Sequence, residues 1–216
     1  MTRDTPTAKD RAYRYTKDGV LDGHFPGGEL ISEGAVADAL RLSRTPVREA
    51  FLLLEAEGLL RLFPKRGALV VPVSAHEIES VLEARELIEG HALRKILRRP
   101  AETRTAVTTQ LREVLADQEA RLATGDERAF VDADRTFHQI IVTEAGNPIL
   151  LELYQSLRDR QLRMGIGALV RDPDRGRRIV REHTALVEGL EAGDADRLDE
   201  HLRQHLDGTR TVLRRA

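Results

Sequence analysis

The 216-residue chain contains no cysteine. Disulfides, thiolate metal sites and redox sensing through sulfur are therefore excluded. Long apolar runs are missing too: none approaches the roughly 18–20 residues that a membrane span requires, so no membrane partner is expected. The opening Met1-Thr2-Arg3-Asp4-Thr5-Pro6-Thr7 lacks the apolar core of a signal peptide. Residues 1–7 read as a short disordered tail, and a cytoplasmic location is the expectation. An excess of charge of one sign is also absent, since 34 Lys and Arg against 36 Asp and Glu leave a formal charge of −2. That balance excludes a broadly basic coat for nucleic acid but not a local basic patch. There is no internal repeat and no low-complexity tract. The length leaves room for two modest domains, each with its own core.

What is present starts with Ser43-Arg44-Thr45-Pro46-Val47-Arg48-Glu49-Ala50. Thr45 reads as an N-cap, because its hydroxyl can accept from an unpaired first-turn N–H. Pro46 then falls at the first helical position, where its missing N–H costs nothing. The helix carries Val47, Ala50, Phe51, Leu53 and Leu54 on an inward face, and Gly58 closes it. Arg44 and Arg48, four apart, project together from its start, where arginine can fork onto guanine O6 and N7 or clamp phosphate. A capped surface helix with two solvated arginines would begin the same way. Residues 59–73 weigh against that. They form two short apolar runs around Pro64-Lys65-Arg66-Gly67, a hairpin whose cationic, glycine-bearing turn allows close approach to phosphate or a minor groove. A helix-turn-helix followed by such a ribbon is a winged helix. Arg41, Arg44, Arg48, Lys65 and Arg66 supply its basic patch.

Four runs occur in order: Gly23-His24-Phe25-Pro26-Gly27 before Glu29-Leu30, the Ser43–Ala50 run, Leu54-Glu55-Ala56-Glu57-Gly58-Leu59, and Lys65-Arg66-Gly67-Ala68. On these residues the segment 8–73 resembles the N-terminal domain of the GntR family of bacterial transcription regulators. The resemblance implies that Arg44, Arg48 and Gly67 face a double-stranded DNA operator. Thr45, Lys65 and Arg66 complete the candidate DNA-binding set. Two positions depart from the family. Arg41 stands where the helix-turn-helix turn usually has glycine, adding a phosphate contact or only a solvated side chain. Gly34 stands where many relatives carry a polar contact, which implies a lost DNA contact and a different preferred operator.

After a short linker at 74–76, with Ser74 as a cap, the chain shows helix patterns and almost no strand signal. Punctuation separates six helices, at roughly 76–98, 101–123, 126–145, 149–170, 174–191 and 194–214. The expected fold is mostly α: an N-terminal winged helix-turn-helix with a small β-hairpin wing, and a C-terminal antiparallel six-helix bundle over 77–216. The bundle resembles the ligand-sensing domain of the FadR-type branch of the same family (FCD-like), and six helices rather than seven suggest its smaller, VanR-like version.

Asp134 and His138, four apart, share a helix face; His183 lies on the fifth bundle helix and His205 on the last. Three imidazoles and a carboxylate converging in a bundle would suit a divalent transition metal such as Zn, Ni or Mn. Asp-x-x-x-His alone is more often a surface ion pair, and a lone His183 is more often a satisfied core or interface histidine. Spacing does not separate His205 from His201, one turn earlier. The family resemblance assigns metal-ligand roles to Asp134, His138, His183 and His205. It also places Arg85 in the ligand pocket, where a guanidinium can fork onto a carboxylate; a surface pair with Glu89 at i,i+4 is the competing reading. Asn147 is a turn residue or a second effector contact. His24, His76 and His91 have no partners at metal spacing.

The resulting expectation is a metabolite-responsive DNA-binding regulator, a repressor, acting as a homodimer on a near-palindromic operator and released by a small carboxylate. Two rivals are a regulator for which the metal itself is the signal and a metal-dependent hydrolase tethered to DNA. The hydrolase lacks a general base: Glu182 follows its neighbour around the helix by about 100° and so turns away from the site. No residue is expected to be catalytic.

Overall fold

The computed structural model describes residues 6–214. The chain divides between Val73 and Ser74 into two compact units. The tail expected at 1–7 lies mostly outside the described residues. Its last residue, Thr7, is part of a helix start, forming a reciprocal capping box with Asp10.

The first unit comprises α1 (Ala8–Leu21), β1 (Leu30–Ile31), α2 (Glu33–Leu40), α3 (Arg44–Ala56), β2 (Leu60–Phe63) and β3 (Gly67–Val70). The α3 helix starts earlier than the sequence suggests. Ser43 is its cap residue, though its side chain makes no capping hydrogen bond, and Thr45 and Pro46 lie within the first turn. Proline is tolerated there because first-turn N–H groups have no partner within the helix. Val47, Ala50, Phe51 and Leu54 face inward with no exposed surface, whereas Leu53 is 43% exposed rather than buried. Burying Phe51 and Leu54 contributes roughly 1.5–3 kcal/mol each. Their partners include Ala12, Val20, Val36 and Leu60.

The wing is a three-stranded antiparallel sheet in the order β1-β3-β2, with Leu30 opposite Leu69 and Leu60 opposite Val70. β1 was not expected, since two residues are too short to show a period of two. Between α2 and α3, Arg41 ends α2 in the left-handed conformation at φ 53 and ψ 48. That geometry explains why glycine is usual at this turn: L-residues there bring Cβ against a carbonyl.

Among the described residues the second unit has seven helices: α4 (Ala75–Leu97), α5 (Ala101–Thr124), α6 (Glu127–Glu144), α7 (Pro148–Ser156), α8 (Arg158–Arg171), α9 (Arg175–Ala192) and α10 (Ala195–Arg214). Ser74 caps α4 by accepting from Glu77 N–H at 3.1 Å, so residues 74–76 are cap and first turn rather than a linker. The extra helix arises because the stretch expected at 149–170 breaks at Leu157. There ψ is −3°, and the Leu157 N–H donates to Tyr154 O, three residues back, in place of the i−4 carbonyl. No glycine or proline marks that break. With seven helices, the argument for the smaller subgroup lapses. The α6 helix packs against α4, α5, α7 and α8, with Phe130, Val131, Phe137 and Ile141 buried. This central position puts the other face of α6 toward the histidines of α9 and α10.

Candidate DNA interface and metal centre

In the first unit Arg44, Thr45 and Arg48 are exposed at the start of α3, and Lys65 and Arg66 are exposed at the wing tip. The Arg44 guanidinium lies over the start of α2, 3.5 Å from where a Cβ on Gly34 would stand, which is ordinary contact. The wing turn is closed by the Arg66 N–H donating to Phe63 O at 3.0 Å, with Lys65 held at φ 62. Gly67 has φ 99, and a Cβ there would come within 2.3 Å of Ile31 O. The sheet itself therefore demands glycine at 67.

In the second unit Asp134, His138, His183 and His205 each offer one ligand atom, and these atoms lie within 4.8 Å of one another. The three imidazoles are buried and Asp134 is half-buried. His205 is the last-helix member of the group, and His201 is not part of it. His138 Nε2 and His183 Nε2 are 3.1 Å apart, and Asp134 Oδ1 is 3.5 Å from His183 Nε2. Two nitrogens bound to one ion at about 2.0–2.1 Å, at angles of about 90–110°, would stand about 2.9–3.4 Å apart, so the His138 and His183 nitrogens are spaced for such an ion.

What holds the rings has no signal in the sequence. Each imidazole turns its Nδ1 outward to a different acceptor. His183 Nδ1–H donates to Gln118 Oε1 at 2.9 Å, and His205 Nδ1–H donates to Glu182 Oε2 at 2.8 Å. His138 Nδ1 lies 2.8 Å from Glu89 Oε2, off the ideal hydrogen-bond line. An acceptor on Nδ1 selects the tautomer that leaves the Nε2 lone pair free, and outer partners of this kind orient metal ligands. Phe137 stacks on the His183 ring, with centroids 4.1 Å apart and planes within 1°. Gln118 also places its Nε2 3.5 Å from Asp134 Oδ1, and so touches two candidate ligands. None of these partners shares a spacing rule with the histidines, and only the fold brings them near. Glu182, turned away from its neighbour His183 as expected, accepts from His205 instead.

The electrostatics favour the neutral form of His183 and of His205. Burial, reinforced by the neighbouring His205 and His138, pushes His183 well below its ordinary value. His205 is also lowered by burial, against the pull of Glu182. Burial alone would raise the Glu182 carboxyl, but bonds from His205 and Arg175 more than reverse this and hold it at about 2. Arg175 has no exposed surface. It donates to Glu182 Oε1 at 2.6 Å, and to His205 O and Thr209 Oγ1 at 3.0 Å each.

Beside the histidines is a cavity of about 30 Å³, whose lining includes Arg85, Asp134, His138, Tyr154 and His205. Arg85 is buried, not at the surface, and its Nε donates to Glu89 Oε1 at 2.7 Å. Its Nη2 is buried with no hydrogen-bond partner. Tyr154 donates to the same Glu89 oxygen at 2.8 Å. Asn147 is not in the cavity: its side chain caps α7, accepting from the N–H groups of Ile149 and Leu150.

These observations define a class: a winged-helix DNA-binding unit joined to an all-helical sensing unit with a built-in donor set. Comparison with known proteins agrees. Residues 8–70 match the bacterial regulatory proteins of the gntR family, and residues 80–208 match the FCD domain. An HTH-type transcriptional regulator from the ttuE-ttuC' intergenic region of Agrobacterium vitis is 31% identical over 135 residues, 62% of this chain and 79% of the relative. The transcriptional repressor RspR of Escherichia coli K12 is 25% identical over 94% of this chain and 87% of its own. A GntR regulator from Rhodococcus sp. RHA1 has the same fold, with a TM-score of 0.72 at 23% identity over 96% of this chain and 98% of its own. The chain belongs to the GntR family, in the group carrying an FCD domain. It is a DNA-binding transcriptional regulator with a ligand-sensing domain, and its relatives are regulators rather than enzymes.

Proposed function

We propose that the protein is a cytoplasmic, metabolite-responsive repressor whose sensing site is a metal held by Asp134, His138, His183 and His205. Two copies present two α3 helices to a near-palindromic operator, with Arg44, Thr45 and Arg48 toward base edges and Lys65, Arg66 and Gly67 toward the backbone or minor groove. A bound Zn, Ni or Mn ion supplies a Lewis-acidic anchor for an anionic ligand, and Arg85 stands beside it as the second anchor for a carboxylate. The observation that carries this reading is the convergence of three oriented imidazoles and a carboxylate next to a buried guanidinium nitrogen that lacks a partner.

The size of the cavity bears on mechanism. About 30 Å³ admits an ion with a water or two, but not a metabolite of several heavy atoms. Such a ligand binds only a widened arrangement and therefore prefers one state of the bundle, which a ligand must do to shift any equilibrium. A coupling of about 1–3 kcal/mol suffices to release the operator. The same small volume favours one alternative, in which the ion itself is the signal.

The test is metal content of untagged protein purified without chelator, for wild type and His138→Ala, combined with operator binding in the presence of a carboxylate panel. About one ion per chain, lost in the variant, with release from DNA by a carboxylate only when metal is present, is the expected result. Release by metal removal alone would replace the metabolite reading with the metal-sensing one. Wild-type protein without metal would refute both.

A further inference from the structure

The cavity beside the histidines presents more donors than the folded chain uses. Its lining takes Arg85 from α4, Arg135 from α6 and Gln161 from α8. Each has a buried nitrogen with no hydrogen-bond partner: Arg85 Nη2, Arg135 Nε and Gln161 Nε2. A buried donor left unpaired forfeits its hydration, so three around one cavity are unfavourable unless a ligand brings acceptors. The carboxylate proposed at the metal uses Arg85. It leaves Arg135 and Gln161 unused.

Arg135 is half-buried, and the chain does not balance its charge. Its Nη1 donates to Gln139 Oε1, a neutral acceptor, at 3.0 Å. Asp132 keeps its Oδ1 3.9 Å from the Arg135 Nε and gives Oδ2 to Arg128 at 3.0 Å. Burial works against the Arg135 cation, as do Arg158 and Arg128, with Asp132 and Tyr154 opposing them. Arg158, exposed at the start of α8, forms no ion pair among the described residues.

We infer that Arg135 and Gln161 form a second anion subsite, so that the effector is a dicarboxylate. One carboxylate binds at the metal and Arg85; the other takes the Arg135 guanidinium and the Gln161 amide N–H. A guanidinium matches the planar fork of a carboxylate, and Arg158 adds positive field from outside the lining. A monocarboxylate leaves the Arg135 and Gln161 donors unpaired, which is how a polar site rejects an analogue lacking a group. A ligand spanning both poles acts on α4, α6 and α8 together, and so favours one arrangement of the bundle. This assignment rests on the carboxylate-sensing reading above and names the class of ligand.

The test is calorimetric titration of the full-length, zinc-loaded protein with pairs of equal chain length, butyrate against succinate and pentanoate against glutarate. At the better length the dicarboxylate is expected to bind about 10–100-fold more tightly than its partner. Arg135→Gln is expected to erase that advantage with metal content unchanged. Gln161→Leu is expected to weaken the dicarboxylate more than the monocarboxylate. Dicarboxylates that bind no tighter than monocarboxylates, or an advantage that survives Arg135→Gln, overturn the subsite and leave carboxylate sensing standing. Phosphoglycolate binding more tightly than either dicarboxylate would overturn the choice of a carboxylate as the second group. Binding of neither series overturns the subsite and the carboxylate reading together.

Discussion

Gln118→Leu isolates the contribution of the groups behind the histidines. Gln118 has no exposed surface, and its Oε1 is the acceptor for the equally buried His183 Nδ1–H. Leucine nearly conserves the volume and removes only the polar atoms. The first consequence is an orphaned imidazole N–H in a dry site, at about 1–3 kcal/mol. In a unit of this size that lowers Tm by roughly 2–4 °C per kcal/mol, or about 2–12 °C in the metal-free protein. The second consequence is a His183 ring free to take the wrong tautomer or tilt, and loss of such an outer partner costs about 10–100-fold in metal affinity. The Phe137 stack still limits the tilt, which argues for the lower end of that range. Competition titration with a chromophoric chelator reads the second effect, and a melt without metal reads the first. Gln118→Glu keeps the acceptor and is expected to retain most of the affinity. Metal affinity within twofold of wild type in Gln118→Leu would refute the claim that Gln118 orients a ligand. Equal losses in both variants would show that packing, not the acceptor, matters.

Three further outcomes are expected. Arg48→Ala weakens operator binding by about 1–3 kcal/mol in fluorescence anisotropy if the side chain forks onto a guanine; an unchanged curve removes Arg48 from the interface. Arg41→Gly relieves a left-handed L-residue and stabilises the first unit by about 0.5–1 kcal/mol in urea denaturation, after allowance for the greater freedom of glycine in the unfolded chain. A simultaneous loss of operator affinity would identify Arg41 as a phosphate contact, and a destabilised protein would contradict the strain argument. Gly67→Ala costs about 1–3 kcal/mol from backbone conformation alone, plus the clash with Ile31 O; a stable variant would show that β1 can move away.

The legible part of this protein was local. The run from Ser43 to Ala50 and the turn at Pro64–Gly67 each carry their meaning within a few residues, whereas the histidines at 138, 183 and 205 do not. Turn chemistry, capping and the i,i+4 relation act over that range, so the winged helix and the helical bundle are readable from the sequence alone. Leu157 shows the limit of local signals: one residue at ψ −3° splits a helix with neither glycine nor proline to announce it. Leu30 and Ile31 become a strand only because β3 offers them backbone partners. The tertiary structure also brings His205, and not His201, beside His138 and His183, turns the Arg85–Glu89 pair inward and makes Asn147 a helix cap. It alone recruited Gln118, Glu89 and Glu182 behind the three imidazoles. The physical reason is distance along the chain. A buried imidazole must satisfy its second nitrogen wherever packing supplies an acceptor, and Gln118 lies 65 residues from His183.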